Sequence, residues 1–469
     1  MQKPVSLRES CNNSAARGLA AKLDVFDATM IVMGGVIGSG IFITPYVVAQ
    51  AVHTPALILA EWVIGGAVSL AGAFVFAELA SRRPKVGGDY AYLQEGVSPL
   101  AGFLYGWMAL LVINAGGTAA VALTFAQYVK QIGALPVSDR VIGSATILVL
   151  MAINCAGVRA GSNVQSVLMI LRIAAVLLLA GAGIWWAFAG TTPMQWRPVL
   201  DRPPGGGLAA AMALGLIPVL FSYGGYQSAT FLAAEIREPR KSLPRALLLG
   251  VAGVTALYVL ATFACVAVLG GNGLAATATP ASAVMQRVLG RTGARLIAAG
   301  ITLSALGFLS QSVLTYPRVF FAMAKDGLFP AGIARVNPRT QTPVAAIVLQ
   351  CTLTIVVICA GQFESILNYV ESMDAFFLGL AAATLFAFRR RDASTVRQES
   401  AARVPGHPWT TLGYVTICWI VAANSLYKYR VNAMLVLAIL GAGVPFYLYW
   451  RSQRPRSETA EMTYEHPEN

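Results

Sequence analysis

Twelve long apolar runs divide this chain, each close to the length that crosses a bilayer. They cover roughly 25–50, 55–81, 98–130, 139–158, 162–189, 207–235, 244–270, 293–324, 343–361, 365–388, 409–427 and 430–450. A spanning helix needs about 20 mainly apolar residues. Lipid offers backbone N–H and C=O groups no water, so such runs must satisfy themselves as helices. The expected class is an all-α polytopic membrane protein. Composition agrees: 12% of residues are charged, where a soluble domain carries about one-quarter.

An even number of spans puts both termini on one side. Assigning the tails and alternate loops inward gives that side 23 Lys and Arg, against nine in the opposite loops. Cytoplasmic loops gather such residues, so both termini are expected in the cytoplasm, with the chain in the plasma (cytoplasmic) membrane. The net charge of +13 then reflects loop bias, and no nucleic-acid partner is expected. The reading divides the chain into an N-terminal tail (1–24), segments one to five (25–190), segments six to ten (207–388), a basic cytoplasmic loop (389–408), segments eleven and twelve (409–450) and a C-terminal tail (451–469). The first twenty-odd residues are polar and basic, so no cleavable signal peptide is expected. The six cysteines show no paired spacing and the three histidines no metal-ligand spacing, so neither a disulfide framework nor a metal or other cofactor is expected.

Two of the runs are interrupted. Gly35-Val-Ile-Gly-Ser-Gly-Ile-Phe42 lies midway along Phe26 to Gln50, about 37 Å if helical throughout. Gly38, Ser39 and Gly40 fall near its centre. Segment six carries Phe221-Ser-Tyr-Gly-Gly-Tyr-Gln227, with Gly224 and Gly225 mid-membrane and Pro218 one turn earlier. Backbone freed in the membrane must be buried in protein or line a cavity. A broken helix exposes N–H groups on one side and carbonyls on the other, which can hold a carboxylate and an ammonium. One small zwitterion, an amino acid, carries both. Either cluster alone could be a kink or a close helix contact. Two breaks, five segments apart and opposite in direction, point to an inverted repeat and the binding site of a secondary transporter.

Several further stretches carry a resemblance. Glu78-Leu is followed by Pro84-Lys-Val-Gly-Gly-Asp-Tyr-Ala-Tyr-Leu-Gln-Glu95, and Gly157-Val-Arg-Ala-Gly-Ser-Asn-Val-Gln165 enters segment five. Glu235-Ile-Arg-Glu-Pro-Arg-Lys-Ser-Leu-Pro-Arg245 leaves segment six, and Arg318-Val-Phe-Phe-Ala-Met-Ala-Lys-Asp-Gly327 leaves segment eight. Asn337-Pro-Arg-Thr-Gln-Thr-Pro343 precedes segment nine. In this order and spacing, from about Asp24 to Trp450, the chain resembles the amino acid–polyamine–organocation (APC) superfamily. Within it, the chain is similar to the L-type amino acid transporter (LAT) branch as a prokaryotic-type member. The resemblance implies a leucine-transporter-type fold, with twelve transmembrane helices, a 5+5 inverted repeat and helices one and six broken. It implies that the amides of Ser39 and Gly40, with the Ser39 hydroxyl, bind the substrate carboxylate. The carbonyls of Val36, Ile37, Phe221 and Gly224 would accept from the ammonium, and the Phe221 ring would act as a gate. The alternative reading of Phe221 is a core aromatic, since aromatics fill cores routinely.

Arg172 lies about 11 residues, roughly 16 Å, into segment five, where a charge is costly and usually functional. In sodium-independent relatives a lysine at the matching point replaces the sodium ion that braces helices one and eight. Arg172 is expected as a permanent cation there, with Ser304 or Ser312 of segment eight nearby. Arginine effectively never deprotonates, so exchange or facilitated diffusion fits better than proton or sodium coupling. The alternative is an arginine snorkelling into a vestibule. Glu78 and Glu235 read most simply as partners of basic loop residues. Glu61, a helix-contact or hydrogen-bonded carboxyl, stays open, as do Glu371 and Asp374 in segment ten. Segment three offers no acid between Ala101 and Tyr128, and carries Asn114, Ala115, Gly116, Gly117 and Thr118 at its middle. That favours a neutral side-chain pocket that includes Asn114. Animal relatives need a disulfide-linked glycoprotein through a cysteine between segments three and four. Gln131–Arg140 has none, so no such heavy subunit is expected.

The function expected is sodium-independent exchange of neutral L-amino acids by alternating access. A proton-coupled or cationic amino acid or polyamine carrier of the same superfamily is the alternative. A membrane-embedded enzyme is more remote, since no nucleophile–base arrangement is visible. So is an amino-acid sensor, which lacks a soluble relay domain.

Overall fold

The computed structural model describes residues 19–132, 136–189, 207–360, 363–393, 402–428 and 430–453. The side chains of 131–132, 363–371, 428 and 430–433, Glu371 among them, lie outside the described set, as do most of both tails and residues 394–401 of the basic loop. Helices follow one another throughout: α1 (Val25–Val36), α2 (Gly40–Val52), α3 (Pro55–Arg82), α4 (Asp89–Gly96), α5 (Pro99–Met108), a π segment (Ala109–Asn114), α6 (Ala115–Ile132), α7 (Asp139–Cys155) and α8 (Val158–Phe188). Then come α9 (Leu208–Ser222), a 3-10 helix (Tyr226–Glu235), α10 (Pro239–Ala275), α11 (Pro280–Thr315), α12 (Pro317–Lys325), a short 3-10 turn (Ala331–Ala334), α13 (Val344–Ala360), α14 (Phe363–Ala393), α15 (Trp409–Lys428) and α16 (Arg430–Ser452). No strand forms among the described residues; a single bridge pairs Leu23 with Ile236.

The described residues of all twelve apolar runs are thus mainly helical. Among the described residues, eight helices are long and apolar enough to cross a membrane, and α1 with α2 makes a ninth as a bent pair. The helices α7 and α13 have 17 residues each, at the lower end of spanning length. Apolar side chains on the outside fit lipid: Leu148 and Val149 on α7, Trp185 and Phe188 on α8, and Leu437 and Leu448 on α16 are exposed.

Local signals start and stop these helices. Asp24 caps α1 in a capping box with Asp27, filling amides that no helix carbonyl reaches. Asp27 in turn takes a hydrogen bond from Arg159 at 2.7 Å and from the Ser162 hydroxyl at 3.2 Å, which ties the entry of α1 to the entry of α8. Pro99 opens α5, capped by Ser98. Buried helices α1 and α2 pack against α8, α9, α10, α11 and the 3-10 helix. That places the first interruption against the second, with α8 and α11 alongside.

Candidate functional site

The first break opens where the sequence puts its glycines. α1 leaves helical geometry at Ile37, ψ 91°. The Ile37 N–H still reaches Met33 O at 2.8 Å, and the Gly38 N–H turns back to Val36 O at 2.9 Å. The second half starts at Gly40, bent by 42°. Ser39 occupies the cap position, but its hydroxyl makes no cap bond. That hydroxyl and the Gly40 and Ile41 amides, which have no intrahelical acceptor, are open to a ligand, whereas the Phe42 N–H already donates to Ser39 O at 3.1 Å.

The second break spans Tyr223 to Gly225. The Gly224 N–H bonds Phe221 O at 3.0 Å, and Gly225 takes φ 95°, which favours glycine. The chain then continues as a 3-10 helix rather than an α-helix. The two breaks touch through backbone: a Cβ on Gly35 or on Gly225 would overlap the other's carbonyl. Tyr258 of α10 fastens them together, its hydroxyl lying 2.9 Å from Val36 O and 3.3 Å from Ser222 O.

Both breaks line one cavity of about 370 Å³, in the range of small-molecule sites. Its wall includes Val36, Gly38, Ser39 and Gly40 from the first break and Phe221, Gly224 and Gly225 from the second. The Phe221 ring is half-exposed. Segment three adds Ile113, Gly117, Ala120 and Thr124, small or apolar groups as its composition suggests. Two of the expected binding residues lie outside this lining. Ile37 is buried, and its carbonyl accepts from Arg172 at 2.6 Å. Asn114 is buried in the π segment, its Oδ1 accepting from the Thr118 hydroxyl at 3.1 Å.

Arg172 is fully buried, so it does not snorkel. Its Nη1 donates to Gly34 O at 3.0 Å as well as to Ile37 O. The guanidinium thus sits on the carbonyl end of α1, where the helix dipole is negative. Ser304 of α11 donates to Gly38 O at 2.9 Å, so segments five and eight hold the same break. Ser312, two turns further along α11, is placed instead against α13: its carbonyl accepts from Gln350 at 3.1 Å. Gly307 makes room for the arginine, since a Cβ there would overlap the guanidinium.

The other acids separate by place. Glu78 pairs with Arg82 and Arg389 and accepts from the Val404 N–H. Glu235 pairs with Arg318, both fully buried, so its partner lies inside segment eight and not in a loop. Glu61 is fully buried beside Gly215 of α9, and neither of its oxygens has a hydrogen-bond partner. The sequence did not single out two contributors, Tyr258 and Gly307, and it left Asp374 without a role. Asp374 lines the cavity. No group of His, Cys, Asp or Glu arranged to hold a metal exists among the described residues.

Residues 23–446 match the sequence model of the family described as amino acid permease. The chain belongs to the amino acid permease family. This permease is 29% identical over 453 residues to the large neutral amino acids transporter small subunit 2 of Mus musculus, covering 94% of this chain and 83% of that one. It is 29% identical over 434 residues to the serine/threonine exchanger SteT of Bacillus subtilis, covering 92% and 97%. The Asc-type amino acid transporter 1 of Homo sapiens is 27% identical over 447 residues, covering 93% and 84%. This permease is an amino acid transporter of the LAT-like part of the APC superfamily, not an enzyme.

Proposed function

We propose that this permease exchanges neutral L-amino acids across the cytoplasmic membrane by alternating access, without sodium. One observation carries the reading: both helix breaks open on a single cavity, so amides with the Ser39 hydroxyl and carbonyls can take the two ends of one zwitterion. The backbone then reads the amino acid core and leaves the side chain to the rest of the wall. Arg172 holds positive charge where a bound sodium would otherwise join α1 to α11, which disfavours sodium beside it. Its guanidinium does not release a proton at neutral pH, so the break carries no proton there. The similar proteins, by name neutral amino acid transporters and an exchanger, support the same cargo and mode. The architecture proposed with it has twelve spans and a 5+5 inverted repeat, residues 25–190 and 207–388, with both termini cytoplasmic. No disulfide-linked heavy subunit enters the reading.

The experiment is counterflow into proteoliposomes. Labelled neutral amino acid is offered at zero ion gradients, with and without unlabelled amino acid inside. Uptake that needs preloading supports exchange. Equal uptake into empty vesicles makes the protein a uniporter. No movement until a sodium or proton gradient is imposed overturns the coupling argument. A second reading, cationic cargo, is favoured by one observation: a carboxylate does face the cavity, from segment ten.

A further inference from the structure

Apart from Asp374, the described residues that line the cavity are uncharged. Among the described lining residues Asp374 of α14 is the one acid, and none is a lysine or arginine. Asp374 makes no salt bridge to another described residue. Its titratable neighbours come from several elements: Tyr105 of α5, Tyr226 of the 3-10 helix, Tyr316 between α11 and α12, Cys418 of α15 and Asp89 of α4. All are neutral or acidic types. Asp89 is buried outside the lining; its Oδ2 accepts from the Tyr105 hydroxyl at 3.4 Å and its Oδ1 has no partner. Burial, and next the carboxylate of Asp374, push Asp89 well above the usual carboxylate range.

A carboxylate in a largely apolar cavity is costly unless a donor meets it. No described lysine or arginine pairs with it, so a donor carried by the cargo can meet it. The amino acid core is already matched at the breaks, which leaves the side chain to reach the α14 wall. Resting on the exchange reading above, we propose that Asp374 makes this permease select amino acids whose side chain ends in a hydrogen-bond donor, hydroxyl or ammonium, over their apolar isosteres. Such a site rejects the isostere because the carboxylate is then left desolvated and unmet.

The test uses the full chain in preloaded proteoliposomes at zero ion gradients. Initial counterflow rates are compared within two isosteric pairs, threonine against valine and ornithine against norleucine, for wild type, Asp374→Ala and Asp374→Asn. Wild type is expected to favour the donor-bearing member of at least one pair by roughly tenfold or more. Asp374→Ala should bring that ratio to within about twofold of unity. Asp374→Asn, nearly isosteric, separates the sources: it keeps a hydroxyl preference and loses an ammonium preference. No preference in either wild-type pair overturns the proposal, as does a preference that survives Asp374→Ala. If Asp374→Ala does not yield folded protein by size-exclusion, an ammonium preference that persists in Asp374→Asn overturns it instead. A required pH gradient that Asp374→Asn abolishes, with selectivity unchanged, would make Asp374 a proton carrier and also overturn it. Wild type that exchanges no amino acid at all defeats the exchange reading itself, a separate result.

Discussion

Arg172 is the residue on which the coupling argument turns. Its position was legible because a charge inside an apolar run stands out against the cost of placing it there. Its partners were not, since Gly34 O and Ile37 O are backbone groups that no side-chain pattern encodes. Gly307 was hidden for the same reason: its value lies in the absence of a Cβ. Arginine keeps its proton through the physiological range, whereas a buried lysine can lose one near neutrality. Arg172 is therefore expected to add no pH dependence to wild-type counterflow between about pH 6 and 8. Arg172→Lys should slow exchange and make it pH-dependent, because deprotonation removes the charge that holds the carbonyl end of α1. Rates in the two proteins across that pH range decide the point; an Arg172→Lys protein with unchanged rate and a flat profile would sink the idea.

Among the elements, the broken helices were the most legible. The glycine clusters placed both interruptions within about a residue, because glycine where a helix needs propensity is a strong local signal. The backbone form beyond each break was less legible. The 3-10 form of Tyr226–Glu235 and the π segment Ala109–Asn114 arise from shifts in hydrogen-bond register that tertiary packing sets. Asp374 was visible but had no role, because segment three was taken as the wall that would carry an acid, while α14 also reaches the cavity. The meeting of the breaks gives a prediction at this scale. Gly225 has φ 95° and its Cα faces the Gly35 carbonyl. Gly225→Ala should cost about 1–3 kcal/mol for the left-handed backbone alone, with the overlap in addition. A lower thermal midpoint in detergent and loss of counterflow are expected. Gly38→Ala, where an added Cβ meets nothing within 4 Å, is expected to keep a near wild-type midpoint, so the pair of midpoints separates contact strain from general loss of glycine.

At the scale of the whole molecule, ion pairs at the basic side hold the helices in one arrangement. Arg82 and Arg83 both reach Asp392, and Arg83 and Lys85 both reach Glu95, so α3, α4 and α14 are linked. Glu235 and Arg318 link the end of the 3-10 helix to α12 with no exposure at all. The motifs containing these residues were visible in the sequence, but which acid met which base depended on how helices far apart in the chain were packed. Removing one partner of a buried pair leaves a charge unmet, which costs about 3–5 kcal/mol, while replacing both with apolar groups is often nearly neutral. Glu235→Ala should therefore sharply lower the yield of monodisperse protein, and Glu235→Leu with Arg318→Met should restore much of it. Equal yields from the two variants would show that the pair contributes little. Glu95 adds a pH dependence of known sign. Burial acts to raise its carboxyl, but the hydrogen bonds from Lys85 and Arg83 outweigh that and hold it below its usual value of 4.5. A carboxyl lowered on folding contributes fully above the unfolded value and loses that contribution as pH falls through the folded one. The thermal midpoint should thus fall as pH drops from about 5 toward 3, and the fall should be shallower in Glu95→Gln. Because α3 and α14 meet through this network, a parallel midpoint curve for Glu95→Gln and wild type would mean that the Glu95 carboxylate adds little to what Glu78 and Asp392 hold at this end.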